Sequence, residues 1–257
     1  MIHTQIELDF TCKIPMESHG NKYNVFIRYP DDYNNSNKSY PVIFLLDPNY
    51  LFNAIYGIDA ISHKYIIVGI GHEGINQSNV DFFRPRDFLP FKLDNIMFRK
   101  GTDEKLIKDI QDASGYAEKF APFIIDQVLP LVEQEFRVTD ERIFIGHSFG
   151  GVFACYMMFY HSEIFNKIIA ISPIIDSRYY VQKEMFQGLS PTSVAHLYCS
   201  LSSLEEEGEI STSCKKLLES KNIGGKFEIF ENLDHVSVVL PSIISGIKFL
   251  EEKMYEK

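Results

Sequence analysis

Residues 146–150 (GHSFG) form the G-x-S-x-G pattern of a nucleophile elbow, in which a serine sits on a tight turn between a strand and a helix. Apolar segments on both sides suit those two elements, which makes the pattern specific. Gly146 and Gly150 are expected to leave the room that the turn requires. The turn places the hydroxyl at a helix N-terminus, where the helix dipole and free amides stabilise developing negative charge. We therefore predict that Ser148 is a nucleophile and that the Phe149 amide donates to an oxyanion.

A serine hydroxyl is a weak nucleophile until a base removes its proton, so a histidine must accompany the elbow. In folds with this elbow, the partners follow along the chain in the order serine, acid, histidine. His235 satisfies this order and lies in a polar loop, residues 231–237, before the final helical segment. His161 ends the helix after the elbow, and His196 begins a strand at the edge away from the site. We therefore predict His235 as the base and a packing or hydrogen-bonding role for His147.

The acid of such a triad is expected just past the strand before the last, where several carboxylates compete. Glu205 stands closest to the strand end and is our first choice, with Glu206 and Glu207 as alternatives. Asp234 is adjacent to His235, but neighbouring loop residues rarely direct their side chains at each other. A serine–histidine pair without a carboxylate is the remaining alternative, because the acid orients and stabilises the imidazole without reacting itself.

Short apolar segments rich in β-forming residues alternate with helical patterns along most of the chain, which indicates a parallel sheet covered on both faces. The predicted strands are residues 41–46, 65–70, 143–145, 167–171, 195–201 and 227–230. The predicted helices are residues 117–136, 151–160, 211–221 and 238–253. Residues 4–14 and 22–29 are expected to form antiparallel strands at one edge. Together with the elbow, this alternation predicts an α/β-hydrolase fold with a mostly parallel, doubly wound sheet.

The length of 257 residues fits one domain of this kind, spanning residues 1–257. Two stretches, residues 72–114 and 176–194, show neither period clearly. Long irregular segments in a compact domain are usually functional loops. We expect both stretches to form lids over the site.

The net charge of −10 argues against nucleic acid and against an anionic membrane as partners, because both require clustered cations. No apolar run is long enough to span a bilayer, and the N-terminus lacks the features of a signal peptide, so a cytoplasmic location is expected. The four cysteines are too far apart in the sequence for a zinc motif, and no cofactor is predicted. They are Cys12, Cys155, Cys199 and Cys214.

Several further stretches carry a family resemblance. They are residues 40–47 (YPVIFLLD), residues 84–90 (RPRDFLP), Gly115 with the helix that leads into the elbow, residues 171–173 (ISP) and residues 234–237 (DHVS). The combination resembles the esterase D-like "putative esterase" family, and especially its siderophore-esterase branch. The resemblance implies an α/β-hydrolase that cleaves carboxylic esters, with ferric enterobactin, salmochelin or bacillibactin as substrates of that branch.

The chain departs from the family pattern after the Leu-Asp at the end of residues 40–47. Many relatives have glycine at the next position, where this chain has Pro48. Proline has no amide hydrogen to donate. The second oxyanion donor is then expected to be the amide of Asn49 or Tyr50.

Basic and aromatic side chains in the two irregular stretches are candidates for contact with the substrate. Arg84, Arg86, Tyr179 and Tyr180 are the residues we select. The two arginines also have a structural interpretation, because an arginine can lock a long loop by bidentate hydrogen bonds to an aspartate such as Asp87.

These observations predict a serine carboxylic-ester hydrolase that forms an acyl-enzyme and acts on a small molecule, either a siderophore-type lactone or a small acyl ester. An acyltransferase that uses the same site is the first alternative, since the sequence does not distinguish water from another acceptor. A non-catalytic binding protein that retains the fold is the second. The oligomeric state is left open.

Overall fold

The structure is a computed structural model that describes residues 10–74, 80–93, 103–174, 190–205 and 222–254. Between 206 and 221 it also describes Thr212, Cys214, Lys215, Lys216 and Glu219.

An eight-stranded sheet with the order β1-β2-β4-β3-β5-β6-β7-β8 forms the centre of the fold. Its strands are β1 (Cys12–Ser18), β2 (Asn21–Arg28), β3 (Tyr40–Leu46), β4 (Ile66–His72), β5 (Val138–His147), β6 (Lys167–Ile171), β7 (Ala195–Ser202) and β8 (Ile223–Phe230). β2 pairs antiparallel with β1 and β4, and every other pairing is parallel. This arrangement confirms the predicted α/β-hydrolase fold and its antiparallel N-terminal edge. The first edge strand lies later than the predicted residues 4–14, of which residues 4–9 lie outside the described residues.

Helices connect the strands on both faces of the sheet. They are α1 (Pro48–Tyr56), α2 (Asp59–Ser62), α3 (Val80–Phe88), α4 (Glu104–Ala113), α5 (Ala117–Phe123), α6 (Leu129–Glu135), α7 (Phe149–Tyr160) and α8 (Val239–Met254). A π-helical segment, Ile124–Val128, joins α5 to α6. Pro122 and Pro130 flank this segment, and each removes a backbone donor from the regular helical ladder.

Alternate side chains of the central strand β3 enter two separate cores, as expected for a sheet covered on both faces. Phe44 packs with the cluster that includes Phe153 of α7, and Leu45 packs with the cluster that includes Ile243 of α8. α7 contacts β5 and β6 on one face, while α8 contacts β6 and β7 on the other. The sheet is therefore held between α7 and α8, and the strand ends that carry the site are fixed by both cores.

The stretch 72–114, predicted to be irregular, contains two helices, and this part of the prediction is wrong. α3 has Pro85 inside it, and its apolar residues do not follow a clear helical period, so its sequence resembles a loop. Long-range bonds fix its end: the amides of Gly115 and Tyr116 donate to the carbonyls of Pro85 and Arg86 at 3.2 and 2.8 Å. In the second stretch, residues 176–189 lie outside the described residues, as does most of the predicted helix 211–221.

A buried carboxylate ties α3 to the antiparallel edge of the sheet. Asp87 accepts hydrogen bonds from the hydroxyl of Tyr23 in β2 at 2.9 Å and from Nε2 of His72 in β4 at 2.7 Å. Arg86 donates to both oxygens of the same carboxylate at 2.7 and 2.8 Å. Burial raises the pKa of Asp87, but the bonds from Arg86 and His72 outweigh it and hold that pKa below its ordinary value. The ionised carboxylate therefore acts as a fixed anchor for the helix.

None of the helices within the described ranges is both long and apolar enough to cross a bilayer.

Two glycines with positive φ allow a test of how crowding affects the loop before α5. Gly115 has φ +84°, and a Cβ there would lie 2.9 Å from the backbone of Phe91. Gly20 has φ +73° with nothing within 4 Å of such a Cβ. We expect Gly20→Ala to lower the free energy of unfolding by about 1–2 kcal/mol, the cost of a left-handed conformation. Gly115→Ala should lower it by about 1–3 kcal/mol more, as at overpacked sites. Urea denaturation of both variants measures the difference, and equal losses would contradict the crowding.

Candidate active site

The elbow places a strained serine where β5 ends and α7 begins. Ser148 has φ 60° and ψ −120°, a region that residues with a Cβ rarely adopt, and it is the N-cap of α7. Its side chain is largely buried, with 5% of the residue exposed. Strain of about 1–3 kcal/mol persists only when the surroundings enforce it. Here the Ser148 amide donates to the Ile171 carbonyl of β6 at 2.9 Å, and the Ser148 carbonyl accepts from the Val152 amide at 3.1 Å.

One of the two glycines predicted to make room for the turn does so. A Cβ on Gly146 would lie 1.9 Å from the carbonyl oxygen of Gly150, so no larger residue fits there. A Cβ on Gly150 would meet only ordinary contacts, the nearest at 3.5 Å, so the prediction for Gly150 is wrong. Gly151 is the tighter position, with the Ile171 carbonyl and Pro173 both 3.1 Å away. The helix after the elbow is therefore more crowded at Gly151 than at Gly150, because Gly151 passes the end of β6.

The carboxylate of Glu205 lies against the imidazole of His235, although the two residues are thirty positions apart. Nδ1 of His235 donates to Oε1 of Glu205, which fixes the tautomer and leaves Nε2 free to accept a proton. Glu205 ends the short 3₁₀ turn Ser203–Glu205 after β7, while His235 follows β8. Parallel neighbouring strands end at the same edge of the sheet, and this brings the two loops together.

Two serine hydroxyls hold the other oxygen of Glu205. Ser172, at the end of β6, donates to Oε2 at 2.8 Å, and Ser202, at the end of β7, donates to it at 2.7 Å. Burial of the carboxyl raises its pKa, but the hydrogen bonds from His235, Ser202 and Ser172 outweigh burial and lower the pKa of Glu205 to about 2. The carboxylate is therefore ionised throughout the physiological range, as an acceptor for an imidazole must be.

Asp234 shapes the histidine loop and does not face the imidazole. Its Oδ1 accepts from the amides of Val236 and Ser237 at 3.0 and 2.8 Å, and from the hydroxyl of Ser237 at 2.7 Å. These local bonds form an Asx-type turn that presents His235. They agree with the expectation that Asp234 is not directed at its neighbour.

A chain of hydrogen bonds links the end of β3, the elbow and the histidine loop. Arg84 of α3 makes a bidentate contact with Asp47, with Nε 3.0 Å from Oδ1 and Nη2 3.0 Å from Oδ2. Nη2 of the same guanidinium also donates to the carbonyl of His147 at 3.2 Å. Nε2 of His147 donates in turn to the carbonyl of His235 at 2.8 Å. The position of His235 is therefore coupled through His147 to the Arg84–Asp47 pair.

Two backbone amides close to the elbow have no acceptor within their helices and are candidates for oxyanion donors. The Phe149 amide is the first of α7 and so has no carbonyl partner within the helix. The Tyr50 amide is engaged, because it donates to the Asp47 carbonyl at 2.9 Å. The Asn49 amide lies in the first turn of α1, where amides have no intrahelical acceptor. The geometry thus favours Asn49 over Tyr50 as the second donor.

Pro48, the departure from the family pattern, fits a site prepared by two glycines of β4. A Cβ on Gly69 would lie 2.8 Å from Pro48 Cβ, and one on Gly71 would lie 2.7 Å from Pro48 Cγ. Proline is well suited to the first position of a helix, since its fixed φ matches and its missing amide would be unpaired. The substitution therefore stabilises the start of α1 without removing the amide that follows.

A pocket of about 410 Å³ opens above these groups. It is lined by Asp47, Tyr50, Leu51, Arg84, His147, Ser148, His235, Val236, Ser237, Val239 and Leu240. Ser148 and His235 therefore face the same space. Within the described part of the chain, no three His, Cys, Asp or Glu side chains are arranged to hold a metal ion.

The predicted substrate-binding residues do not all lie at the pocket that contains Ser148. Arg84 lines the pocket, but its guanidinium is used by Asp47. Arg86 lines a different cavity of about 220 Å³, and its guanidinium is held by Asp87 and by Asn21 at 2.6 Å. The structure therefore does not bring Arg86 together with Ser148, and the structural interpretation of the Arg–Asp pair applies to it. Tyr179 and Tyr180, and the alternative acids Glu206 and Glu207, lie outside the described residues.

Three contributors to the site were missed by reasoning from the sequence. Ser172 and Ser202 are the hydroxyls that hold Glu205, and each directly follows or ends an apolar strand, which was a usable signal. Asp47 was noticed only as part of the Leu-Asp sequence, and its partner Arg84 is distant along the chain. That pairing had no local signal.

Comparisons with known proteins agree with this geometry. The model of a family described as "Putative esterase" matches residues 16–221. The ferri-bacillibactin esterase BesA of Bacillus subtilis (strain 168) is 26% identical over 247 residues, covering 87% of this chain and 82% of that protein. The siderophore enterobactin esterase of Emericella nidulans is 28% identical over 259 residues, covering 84% of this chain and 83% of that protein. The crystal structure of the BES protein from Bacillus cereus has the same fold, with a TM-score of 0.77 at 24% identity over 96% of this chain and 97% of that one.

Matched amide substitutions distinguish the role of Glu205 from that of Asp234. Glu205→Gln removes the charge that accepts from Nδ1 and allows the wrong tautomer, so we expect kcat for an ester to fall by about 10³- to 10⁴-fold. Asp234→Asn retains an acceptor oxygen for its turn, so we expect kcat to change by less than about tenfold. Because the pKa of Glu205 is about 2, its carboxylate stays ionised from pH 5 to pH 8, and its own titration does not affect the wild-type rate in that range. A larger effect of Asp234→Asn would reverse the assignment.

Proposed function

This chain belongs to the putative esterase family and is a carboxylic ester hydrolase, and on that premise we propose that Ser148 is its nucleophile, His235 its general base and Glu205 the acid of the triad. The contact between Glu205 and His235, above a pocket that His235 shares with a strained Ser148, carries the proposal. Its substrate is a small-molecule ester. The cytoplasmic location stays a prediction.

Acylation begins when Ser148 Oγ attacks the ester carbonyl and its proton passes to Nε2 of His235. Glu205 stabilises the imidazolium that forms, because its carboxylate accepts from Nδ1. The amides of Phe149 and Asn49 donate to the oxyanion of the tetrahedral intermediate. Each such donor is worth about 10²- to 10³-fold in kcat. His235 then gives its proton to the leaving alcohol, and the acyl-enzyme on Ser148 remains.

Deacylation repeats these steps with water as the nucleophile. His235 takes a proton from the water as it attacks the acyl carbonyl, and then returns that proton to Ser148 Oγ. His147 does not take part in proton transfer, and its role is to hold the histidine loop by its hydrogen bond to the His235 carbonyl. Burial, together with the nearby His235 and Arg84, lowers the pKa of His147 to about 4, so this ring stays neutral and does not compete for the proton.

Two substrate classes are consistent with this chemistry. Two relatives carry names that refer to siderophore esters, ferri-bacillibactin and enterobactin, so a siderophore lactone is one candidate. A small acyl ester is the other, since the described part of the pocket holds apolar side chains beside the reacting groups. Both classes require the same attack by Ser148.

A fluorophosphonate probe and one alanine variant test the nucleophile. We expect the wild-type protein to be labelled stoichiometrically on Ser148, as found by mass spectrometry of its peptides, and to hydrolyse p-nitrophenyl acetate. Ser148→Ala should lose labelling and about 10⁶-fold in kcat, the typical loss when such a serine is removed. Ser202→Ala is a control for a serine that only supports Glu205, and it should still be labelled. Labelling of another serine in folded wild type would exclude the proposal.

A further inference from the structure

We propose that the leaving alcohol of the substrate is apolar and uncharged and lies on a surface made by Tyr50, Val236, Leu240 and Ile244, here called the alcohol surface. The inference rests on the proposed function, because it places the alcohol relative to His235. It selects a neutral ester of an alkyl or aryl alcohol over an anionic ferric complex as the substrate.

The alcohol surface is a concentration of exposed apolar side chains next to the reacting groups. Its members are exposed by 58% (Tyr50), 73% (Val236), 44% (Leu240) and 49% (Ile244). Eight large hydrophobic side chains are exposed among the described residues, so half of them lie at this one place. Single exposed apolar residues are ordinary, whereas a contiguous patch beside a pocket indicates binding. Tyr50, Val236 and Leu240 line the same pocket as Ser148.

Packing of α8 does not account for these exposed residues. α8 buries a separate stripe against the sheet, which includes Ile243, Ile247 and Leu250. Leu240 and Ile244 are four positions apart, so they lie on one face of the helix, about 6 Å apart along its axis. The two side chains therefore extend the apolar wall of the pocket outward along the helix.

The chemistry of the proposed reaction assigns this surface to the alcohol. The leaving oxygen must lie beside Nε2 of the histidine that protonates it. Val236 follows His235 directly, and Leu240 lies one turn further on, so both are on the histidine side of the pocket. Tyr50 faces them from the first turn of α1. A group that leaves from the His235 side meets these apolar side chains first.

The charges that the described residues bring to the pocket are already paired. The Arg84 guanidinium is bidentate to Asp47, His147 is buried and donates to a carbonyl, and His235 is held by Glu205. The whole chain has a net charge of −10, which repels an anion at long range. A ferric catecholate complex would need cations that these residues do not offer, whereas an apolar alcohol needs only the surface described.

A series of acetate esters tests the alcohol surface while the acyl-enzyme stays the same. Acetate release from ethyl, butyl and hexyl acetate is followed by pH-stat. Burial of one methylene contributes up to about fourfold, and hexyl acetate has four more methylenes than ethyl acetate. Their partial burial should raise kcat/KM by about tenfold to a hundredfold. Since all three esters give acetyl-enzyme, kcat should vary much less when deacylation limits turnover. A matched series of ethyl acetate, butyrate and hexanoate should show the weaker dependence.

Variants on the helix locate the effect. Leu240→Gln and Ile244→Gln should each lower the hexyl-to-ethyl ratio of kcat/KM by threefold or more. Val194→Gln is the control, because Val194 is even more exposed, at 64%, but lies before the first residue of β7, at the end of the strand away from the site. Its ratio should match wild type. An unchanged ratio in both helix variants overturns the proposal, and so does a dependence confined to the acyl series. A shift from dimer to monomer in sedimentation, with the ratio unchanged, would instead identify an interface between two copies.

Failure of the alcohol surface and failure of the proposed function give different results in these experiments. Ester hydrolysis and fluorophosphonate labelling with a flat alcohol series refute the alcohol surface alone, and so does a kcat/KM for ferric enterobactin above that for hexyl acetate. Loss of both hydrolysis and labelling refutes the proposed function and the alcohol surface with it.

Discussion

The guanidinium of Arg84 joins the parts of the chain that must be held together for the site to exist. It binds both oxygens of Asp47, whose carboxylate is almost fully buried at the end of β3, and it donates to the backbone of the elbow at His147. A buried carboxylate without its cation is strongly unfavourable, by about 3–5 kcal/mol, so the two loops are coupled through this pair. The elbow, the start of α1 and the histidine loop are consequently positioned as one unit. The family resemblance at residues 84–90 thus includes a structural constraint.

Backbone strain is concentrated at the same edge of the sheet. Asp47, Ser148 and Ser172 have positive φ values of 52°, 60° and 41°, and they follow or cap the neighbouring strands β3, β5 and β6. Residues with a Cβ adopt such values only when their surroundings enforce them. Each sharp turn redirects the chain so that a polar group points over the sheet: a carboxylate to Arg84, a hydroxyl into the pocket, and a hydroxyl to Glu205. Packing in the two cores fixes the strand ends and so holds these three residues in their strained conformations.

The sequence predicted the parts of the site that depend on local order along the chain. The elbow, the histidine after the last strand and the nearest carboxylate after β7 could each be found by position, and the structure places Glu205 beside His235. α4 also had a readable signal, with Asp103 as N-cap and an apolar stripe, yet it was assigned to an irregular stretch. α3 had no such signal, because its helix contains Pro85. It is fixed by contacts that cross the fold, the Arg84–Asp47 ion pair and the hydrogen bonds from Tyr23 and His72 to Asp87. What the sequence could not give is therefore the set of long-range polar contacts.

The elbow contains a second histidine, His147, close to the proposed base His235. Its ring centroid lies 4.4 Å from that of His235, which becomes an imidazolium during the proposed reaction. A second positive ring at that distance would oppose the proton transfer, but burial keeps His147 neutral, with its pKa lowered to about 4. The neutral ring can then donate Nε2–H to the His235 carbonyl and hold the histidine loop without contributing charge. Every charge that the described residues bring to the site is thus either paired or suppressed, and discrimination between substrates is left to the shape and apolar character of the walls made by α1 and α8.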